Sequence, residues 1–306
     1  MQLYTGTSDK DLLPSVATIG FFDGVHRGHR FLLGQVCRAA AARGLAASVI
    51  TFPVHPRKVM QPGFQPELLT TRDEKVALLA DTAVDYCIML DFTPDLARLS
   101  AKQFMAILKR DYRVEALVIG YDHRFGHNRS EGFDDYVRYG RELGVEVIPA
   151  QAYSAGTMTV SSSAVRRLLR EGDVVGAETC LGYPFFLNGT VVNGHRIGRK
   201  IGFPTANLCV GDAEKLVPAD GVYAVHVFLG GQQYAGMLSI GRRPTVNNGS
   251  DRSIEVHIFH FDADVYNQPM RLSFVRRTRP ELKFDSLEAL VAQLHKDAEE
   301  ITAILS

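Results

Sequence analysis

The chain has 306 residues, a length that favours two compact units over one. Its 34 Lys and Arg residues balance its 34 Asp and Glu residues, which argues against a general attraction to nucleic acid or to an anionic membrane. Hydrophobic residues make up 46% of the chain, as in ordinary globular proteins, and no apolar run approaches the ~20 residues of a membrane span.

The cysteines and the N-terminal residues bear on the compartment. Residues 1–10 are polar and lack the apolar core of a secretion signal. No two cysteines form a CxxC pair, and each lies among apolar neighbours, so we expect reduced, buried thiols in a cytoplasmic protein. The sequence does not indicate whether the chain self-associates. The cysteines are Cys37, Cys87, Cys180 and Cys209.

In the first half, short apolar runs alternate with amphipathic stretches. Near-continuous apolar strands with helices between them indicate an α/β fold, a parallel sheet covered on both faces. Ser100 is the expected N-cap of the third helix. The predicted strands are 16–20, 46–52, 86–90, 116–120 and 145–148, and the predicted helices are 30–43, 72–80, 101–112 and 133–143.

The pattern changes near residue 182, where a Gly-Tyr-Pro sequence interrupts the chain. Alternating segments at 221–229, 234–240, 253–261 and 270–276 predict antiparallel strands, with Gly230 and Gly231 as a hairpin turn. A helix over 286–305 follows, with Ser286 as its N-cap. Short strands with one closing helix predict a small antiparallel β-barrel. The predicted domains are therefore 1–182 and 183–306.

The sequence GFFDGVHRGH, residues 20–29, follows the first predicted strand. The carboxyl end of such a strand, followed by a helix N-terminus, is where phosphates bind. His26 and His29, with unperturbed pKa values near ~6.5, could donate hydrogen bonds to a triphosphate. The alternative is a turn whose histidines only cap a helix, but their position at this junction favours function. A zinc site would need further ligands that the motif lacks.

Two later segments fit the same edge of the sheet. GYDHRFG, residues 120–126, follows the fourth apolar strand. SSSAVR, residues 161–166, opens a short helix whose hydroxyl and amide groups could hold phosphates. Simple helix capping is the common alternative for these serines.

The second half contains GHRIGRKIGFPTAN, residues 194–207. Three glycines among basic residues make a cationic loop that could wrap a polyphosphate, although a solvated basic loop is the ordinary alternative. Thr205 and Asn207 are two residues apart in an extended segment, so their side chains face the same way and offer the oxygen ligands that suit Mg²⁺. A GxxxxGK[ST] motif is missing, which excludes a P-loop kinase.

Glu255 lies on a predicted strand whose apolar residues face the other way. On a solvated exterior this carboxylate would have no role. In a pocket it could orient and deprotonate a hydroxyl that attacks a phosphate. The pattern alone does not separate these alternatives.

GFFDGVHRGH, GYDHRFG and SSSAVRRLLREGD, in this order, resemble the adenylyltransferase half of bacterial bifunctional riboflavin kinase/FAD synthetases. That half has a Rossmann-like nucleotidylyltransferase fold of the HIGH type. The resemblance implies flavin contacts by Phe125 and by His55 in the segment TFPVHP. It implies that the ATP-binding residues are Phe22, Asp23, His26, His29, Asp122, Ser162, Ser163 and Arg166, with the two histidines acting electrostatically in catalysis.

GHRIGRKIGFPTAN, PADGVYAV, IGRRPT, IEVHIFHFDADVY and RPELKF resemble riboflavin kinases from about residue 183 onward. This resemblance implies that Glu255 is the catalytic base for the ribityl 5′-hydroxyl, and that Arg279 lies near the flavin. It also implies an Mg²⁺ site at Thr205 and Asn207. The implied ATP-binding residues are Gly198, Arg199, Lys200, Thr205 and Asn207.

Together the two resemblances imply ATP-dependent phosphorylation of riboflavin to FMN and adenylyl transfer from a second ATP to FMN, which yields FAD and pyrophosphate. One alternative is an adenylyltransferase with a different phosphorylated acceptor, which the attached kinase motifs disfavour. Another is a non-catalytic flavin-binding regulator. A regulator of that kind would be expected to lack the reactive residues. This chain contains all four of them, namely His26, His29, Asn207 and Glu255.

Overall fold

The computed structural model describes residues 1–6, 12–61, 63–120, 123–127, 131–154, 159–194, 198, 201–242 and 252–306. Contacts divide the chain into two compact units, Met1–Ser162 and Ser163–Ser306. This division falls about twenty residues before the domain boundary expected at 182, which stays a prediction.

The first unit is built on a parallel sheet of six strands in the order β1-β4-β3-β2-β5-β6. Its central strands are rich in Val, Ile and Ala and are buried along their length, because helices cover both faces. The predicted parallel sheet is confirmed. The strands are β1 (Gln2–Thr5), β2 (Ser15–Ile19), β3 (Ala46–Thr51), β4 (Tyr86–Met89), β5 (Val114–Gly120) and β6 (Glu146–Ala150).

Helices pack on both faces of this sheet. Val36 and Ala40 of the first helix cover one face, and Phe104 and Leu108 of the fifth cover the other. The predicted N-cap of the fifth helix is confirmed, because the Ser100 hydroxyl accepts from the backbone N–H of Gln103. The helices are α1 (Arg27–Ala41), α2 (Pro56–Met60), α3 (Arg72–Ala80), α4 (Pro94–Arg98), α5 (Ala101–Tyr112) and α6 (Phe133–Leu143).

The second unit contains a closed barrel of six strands in the order β10-β11-β8-β7-β12-β9, with every pair antiparallel. The predicted barrel and its hairpin turn are confirmed: Gly230 and Gly231 have φ of +58° and +79°, as a two-residue turn requires. The strands are β7 (Phe186–Val192), β8 (Ala206–Cys209), β9 (Gly221–Leu229), β10 (Gln232–Arg242), β11 (Arg252–Ile258) and β12 (Pro269–Arg279).

Three helices accompany the barrel. Helix α7 (Ser162–Glu171) starts with the last residue of the first unit, and α8 (Val174–Leu181) packs against β12. The predicted closing helix is α9 (Leu287–Leu305), capped by Ser286, whose hydroxyl accepts from the N–H of Ala289. Ile301 of α9 packs on a cluster that includes Phe203 and Met237.

All four cysteines are free. Cys87 and Cys180 are buried, and Cys37 is half-buried. The burial predicted for Cys209 is wrong: it is exposed, because it ends β8 with its side chain on the outside of the barrel. Within the described ranges, no helix is both long enough and apolar enough to cross a membrane.

Candidate functional sites

The turn between β2 and α1 adopts an uncommon backbone conformation. Phe22 and Val25 have φ of +54° and +36°, the left-handed region that costs a non-glycine residue free energy. Gly24 between them has φ of +77°. Strain of this kind persists only where the surroundings fix the chain, so neighbouring residues must hold this turn in its conformation.

Asp23 fixes the turn from inside. The residue is 3% exposed, and its carboxylate accepts hydrogen bonds from the backbone N–H groups of Leu69 and Thr70, each at 3.0 Å. The Thr70 hydroxyl donates to the same carboxylate at 3.1 Å. Ser162, predicted to bind ATP, donates its hydroxyl to the Asp23 carbonyl at 2.9 Å. Both residues therefore hold the turn in place.

The two histidines of the motif lie together at the N-terminus of α1. Their rings stack face to face, with centroids 3.6 Å apart and planes at 16°. The His26 Nδ1 accepts from the backbone N–H of His29 at 3.3 Å, which caps the helix and starts it three residues earlier than predicted. A Cβ on Gly28 would lie 3.2 Å from the His26 ring, so glycine gives this ring its space.

His29 differs from the ordinary imidazole assumed from the sequence. Burial, with smaller contributions from His26 and Lys75, lowers the pKa of His29 well below its ordinary value. Its ring is therefore neutral at pH 7. The buried Nδ1 has no hydrogen-bond partner among the residues that the structure describes. A polyanionic ligand would supply the negative charge that favours protonation of this ring.

Lys75 lies beneath the same edge, and no sequence motif predicts it there. The side chain is 2% exposed, and its ammonium donates to the carbonyls of Phe52 at 2.7 Å and Phe21 at 3.1 Å. The Nζ also lies 4.0 Å from the centre of the Phe21 ring. The sequence feature that could have indicated its burial is helical spacing, which places Lys75 on the same buried face of α3 as Leu78 and Leu79.

A cavity of about 650 Å³ opens beside the strand ends of the first unit. The predicted flavin residues both line it: Phe125 stacks on Tyr136 at 4.2 Å, and His55 packs edge-on against Phe21 at 4.7 Å. The mixture of flat apolar walls and basic groups suits an aromatic anion. Aromatic walls come from Phe21, Phe52, Phe92, Phe104 and Phe125, and basic groups from His55, Arg57, His123, Arg124 and His127.

Of the remaining predicted adenylyltransferase residues, those that the structure describes do not line this cavity. Phe22 is buried and packs its ring against His29, with centroids 5.0 Å apart. Ser163 and Arg166 lie on α7 in the second unit. Asp122 lies outside the described residues.

In the second unit, the barrel brings the predicted kinase residues together. Asn207 on β8 lies directly opposite Glu255 on β11, and the Thr205 hydroxyl donates to the Glu255 carboxylate at 3.2 Å. Asn207 is 7% exposed, whereas Thr205 is open to solvent. The carboxylate therefore lies beside two neutral oxygen ligands rather than on an isolated exterior.

These oxygen groups fit a hard cation such as Mg²⁺. The Thr205 hydroxyl and the Asn207 amide oxygen are suitable ligands, and Mg²⁺ takes few protein ligands when phosphates supply the rest. A Cβ on Gly194 would lie 2.2 Å from the Asn207 Nδ2, so the glycine leaves room for that amide. In the described part of the chain, no cluster of three or more His, Cys, Asp or Glu forms a separate metal site.

A cleft of about 400 Å³ extends from Thr205 along the barrel. Its walls are Val191, Pro204, Ala206, Val256 and Ile258 together with residues 261–266. Gly198 closes the loop before it, because its carbonyl accepts from the N–H of Phe203 at 2.9 Å. Arg199 and Lys200, also predicted to bind ATP, lie outside the described residues.

Arg279 forms a two-pronged ion pair with Asp297 of α9. The Arg279 Nε and Nη2 lie 3.0 and 2.7 Å from the Asp297 carboxylate, which is almost fully buried. This geometry joins β12 to the closing helix. The flavin contact expected of Arg279 stays a prediction.

Family models match both halves of the chain. The model described as FAD synthetase matches residues 8–164, and the model described as riboflavin kinase matches residues 181–305.

Full-length relatives carry both names. The chain is 37% identical to a bifunctional riboflavin kinase/FMN adenylyltransferase of Escherichia coli K12, over 99% of this chain and 97% of that protein. It is 36% identical to the protein of that name from Listeria monocytogenes, over 95% and 92%. A crystal structure of a Streptococcus pneumoniae protein described as a macrolide-efflux protein aligns with a TM-score of 0.88 and 32% identity, covering 97% of each chain.

Proposed function

Because this chain belongs to the bifunctional riboflavin kinase/FMN adenylyltransferase family, we propose that its two units carry out successive steps of flavin cofactor synthesis. The second unit transfers the γ-phosphoryl group of ATP to riboflavin and releases ADP. The first unit transfers the adenylyl group of another ATP to FMN and releases pyrophosphate.

For adenylyl transfer, an FMN phosphate oxygen attacks the α-phosphorus of ATP, and the bond to the pyrophosphate oxygen breaks. No protein nucleophile is needed, so the protein contributes orientation and charge. In our proposal His26 and His29 hold the triphosphate at the N-terminus of α1, while Phe125 and His55 contact the flavin. The aromatic and basic cavity supports FMN as the acceptor.

For phosphorylation, Glu255 accepts the proton of the ribityl 5′-hydroxyl as the oxygen attacks the γ-phosphorus. The hydrogen bond from Thr205 supports this role, because it orients the carboxylate. The cleft beside Thr205 would hold the nucleotide.

Mg²⁺ is part of the proposal, with Thr205 and Asn207 as its protein ligands. When bound, the cation would neutralise negative charge on the ATP phosphates. We also propose a reducing, cytoplasmic location, which the four free cysteines support.

The observation that carries the proposal is that Thr205, Asn207 and Glu255 lie together in the barrel. A riboflavin kinase produces FMN, so its presence in the same chain favours FMN as the acceptor for the adenylyltransferase. The purified chain, incubated with riboflavin, ATP and Mg²⁺, should yield FMN and then FAD on chromatography. A chain that makes neither product is no flavin-synthesising enzyme. Adenylylation of another phosphorylated acceptor in preference to FMN would support the different-acceptor alternative.

Two substitutions should separate the activities. Glu255→Ala should slow FMN formation at least about a hundredfold, because a general base is lost, and leave FMN adenylylation intact. His29→Ala should slow FAD formation about a hundredfold and leave the kinase intact. Glu299→Ala, an exposed carboxylate on α9, is the control for the first change. If either site variant lost both activities while still folded, the two-site proposal would be wrong.

A further inference from the structure

Lys75 lies where the ends of two neighbouring strands meet. Its ammonium donates to the carbonyl of Phe52, directly after β3, and to that of Phe21, two residues after β2. The Thr51 hydroxyl donates to the same Phe21 carbonyl at 3.1 Å. One buried side chain therefore ties together two segments at the carboxyl edge of the sheet.

Both segments carry parts of the adenylyltransferase site. Phe21 and Phe52 form walls of the 650 Å³ cavity. Phe21 also leads directly into Phe22 and Asp23, the strained turn that ends at His26. The positions of the cavity wall and of the phosphate-binding turn thus depend on the same ammonium group.

The charge of Lys75 is little neutralised by its surroundings. The groups near it are Asp23 on the turn, Arg72 on its own helix, the Cys87 thiol on β4 and His29 on α1. Burial raises the pKa of Cys87 to about 11, so the thiol is uncharged, and His29 is neutral. Among these groups only Asp23 is negative, and its carboxylate also accepts the backbone amides of Leu69 and Thr70.

We propose that Lys75 is a positioning residue for adenylyl transfer: its ammonium aligns the ends of β2 and β3 and supplies a fixed positive charge behind the histidine pair. This inference rests on the proposed function of the first unit. A fixed positive charge next to developing negative charge stabilises a transition state more than a solvated positive charge would, because its surroundings need not reorganise during the reaction.

Protonation separates this role from a merely structural one. A neutral lysine still has two N–H donors for the two carbonyls, so the tether survives loss of the proton while the charge does not. Burial lowers the pKa of Lys75 to about 8, so the charge is present below pH 8 and is lost above it. Because the unfolded chain binds this proton more tightly than the folded chain does, deprotonation by itself does not destabilise the fold.

The first test uses the unmodified full chain. With FMN and Mg²⁺-ATP well below their KM values, kcat/KM for FAD formation should fall about tenfold between pH 7 and pH 9, where about a tenth of the ammonium remains in the free chain. Riboflavin phosphorylation and the melting temperature, measured in the same samples, control for damage to the protein. A kcat/KM at pH 9 within twofold of that at pH 7 would overturn the proposal. No FAD at either pH would instead contradict the proposed function itself.

Three variants complete the test. Lys75→Met should lower kcat for FAD formation at least tenfold and leave FMN formation unchanged. Lys109→Met is the matched control, because that lysine pairs with Glu115 near the start of β5, away from the site. Lys75→Arg keeps its charge above pH 9, so the fall at high pH should disappear.

Two outcomes would refute the role of Lys75. One is a kcat of Lys75→Met within twofold of Lys109→Met. The other is an unchanged high-pH fall in Lys75→Arg. If Lys75→Met failed to fold, the pH series of the unmodified chain and of Lys75→Arg would still decide.

Discussion

Gly28 shows how one missing side chain can shape the proposed adenylyltransferase site. A Cβ at position 28 would lie 3.2 Å from the His26 ring. That ring caps α1 and also stacks on the ring of His29. A small displacement of His26 would therefore disturb the cap and the stack together.

We expect Gly28→Ala to slow FAD formation about tenfold, because a misplacement of this size weakens contacts made to the phosphates in the transition state. Gly34→Ala, in the same helix, is the matched control: its Cβ would meet only the Arg38 guanidinium at an ordinary 3.5 Å. That control should keep its activity and gain up to ~1 kcal/mol of helix stability. Equal rates of FAD formation in the two variants would contradict the role given to Gly28.

The sequence is more informative about which side chains are candidates for the two sites than about their protonation states. His26, His29, Thr205, Asn207 and Glu255 could be selected because their motifs are local. The lowered pKa of His29 depends on burial and on Lys75, which lies 46 residues away in the chain. No pattern of neighbouring residues contains that information.

At the scale of elements, the strand pair β8 and β11 brings the proposed kinase residues together. Their register places Asn207 opposite Glu255, and the segment that follows β7 leaves room for the amide because residue 194 is glycine. The fit between Gly194 and Asn207 is therefore a specific requirement of the barrel.

Gly194→Ala should lower riboflavin phosphorylation at least tenfold and raise KM for ATP, because a Cβ 2.2 Å from the Asn207 Nδ2 must displace that amide. FMN adenylylation in the same chain should be unaffected. Gly211→Ala, whose Cβ would have no neighbour within 4 Å, serves as the control in steady-state assays of both reactions. Kinase rates that match in the two variants would show that the amide position is unimportant.

Elements with strong patterns were predicted well, and short or irregular ones were not. The predicted helices 72–80, 101–112 and 133–143 coincide with α3, α5 and α6, because each has a clear cap and apolar face. Strand β7 was missed, since Asn188 and Gly189 in its middle are typical of a turn. A Cβ on Gly189 would lie 2.3 Å from the Cys209 carbonyl, so a close approach of β8 explains this glycine. Strand β1 is short and mostly exposed, and it lacks a recognisable pattern.

At the scale of the whole molecule, the second compact unit includes helices that precede the predicted domain boundary. The backbone N–H of Ala219 donates to the Leu169 carbonyl at 2.9 Å, and the Arg277 guanidinium donates to the Glu171 carbonyl at 3.3 Å. Helix α8 packs against β12. These contacts tie α7 and α8 to the barrel.

A fragment of residues 163–306 should therefore melt at a higher temperature than one of residues 183–306. Loss of the two helices removes these hydrogen bonds and uncovers β12, and a loss of ~1 kcal/mol shifts the midpoint of a domain this size by roughly 4 °C or more. Circular dichroism melts of both fragments test this, with riboflavin phosphorylation as a check of the folded state. Coinciding melts would instead support a boundary at 182.

The way each sheet ends has a consequence for behaviour in concentrated solution. The barrel is closed, so its strands present no unpaired row of backbone groups, whereas the parallel sheet ends in β1 and β6. Strand β1 has four residues, and β6 contains Pro149, which has no N–H to offer a further strand. Edge strands that are short or contain proline discourage the strand-by-strand addition that leads to aggregation.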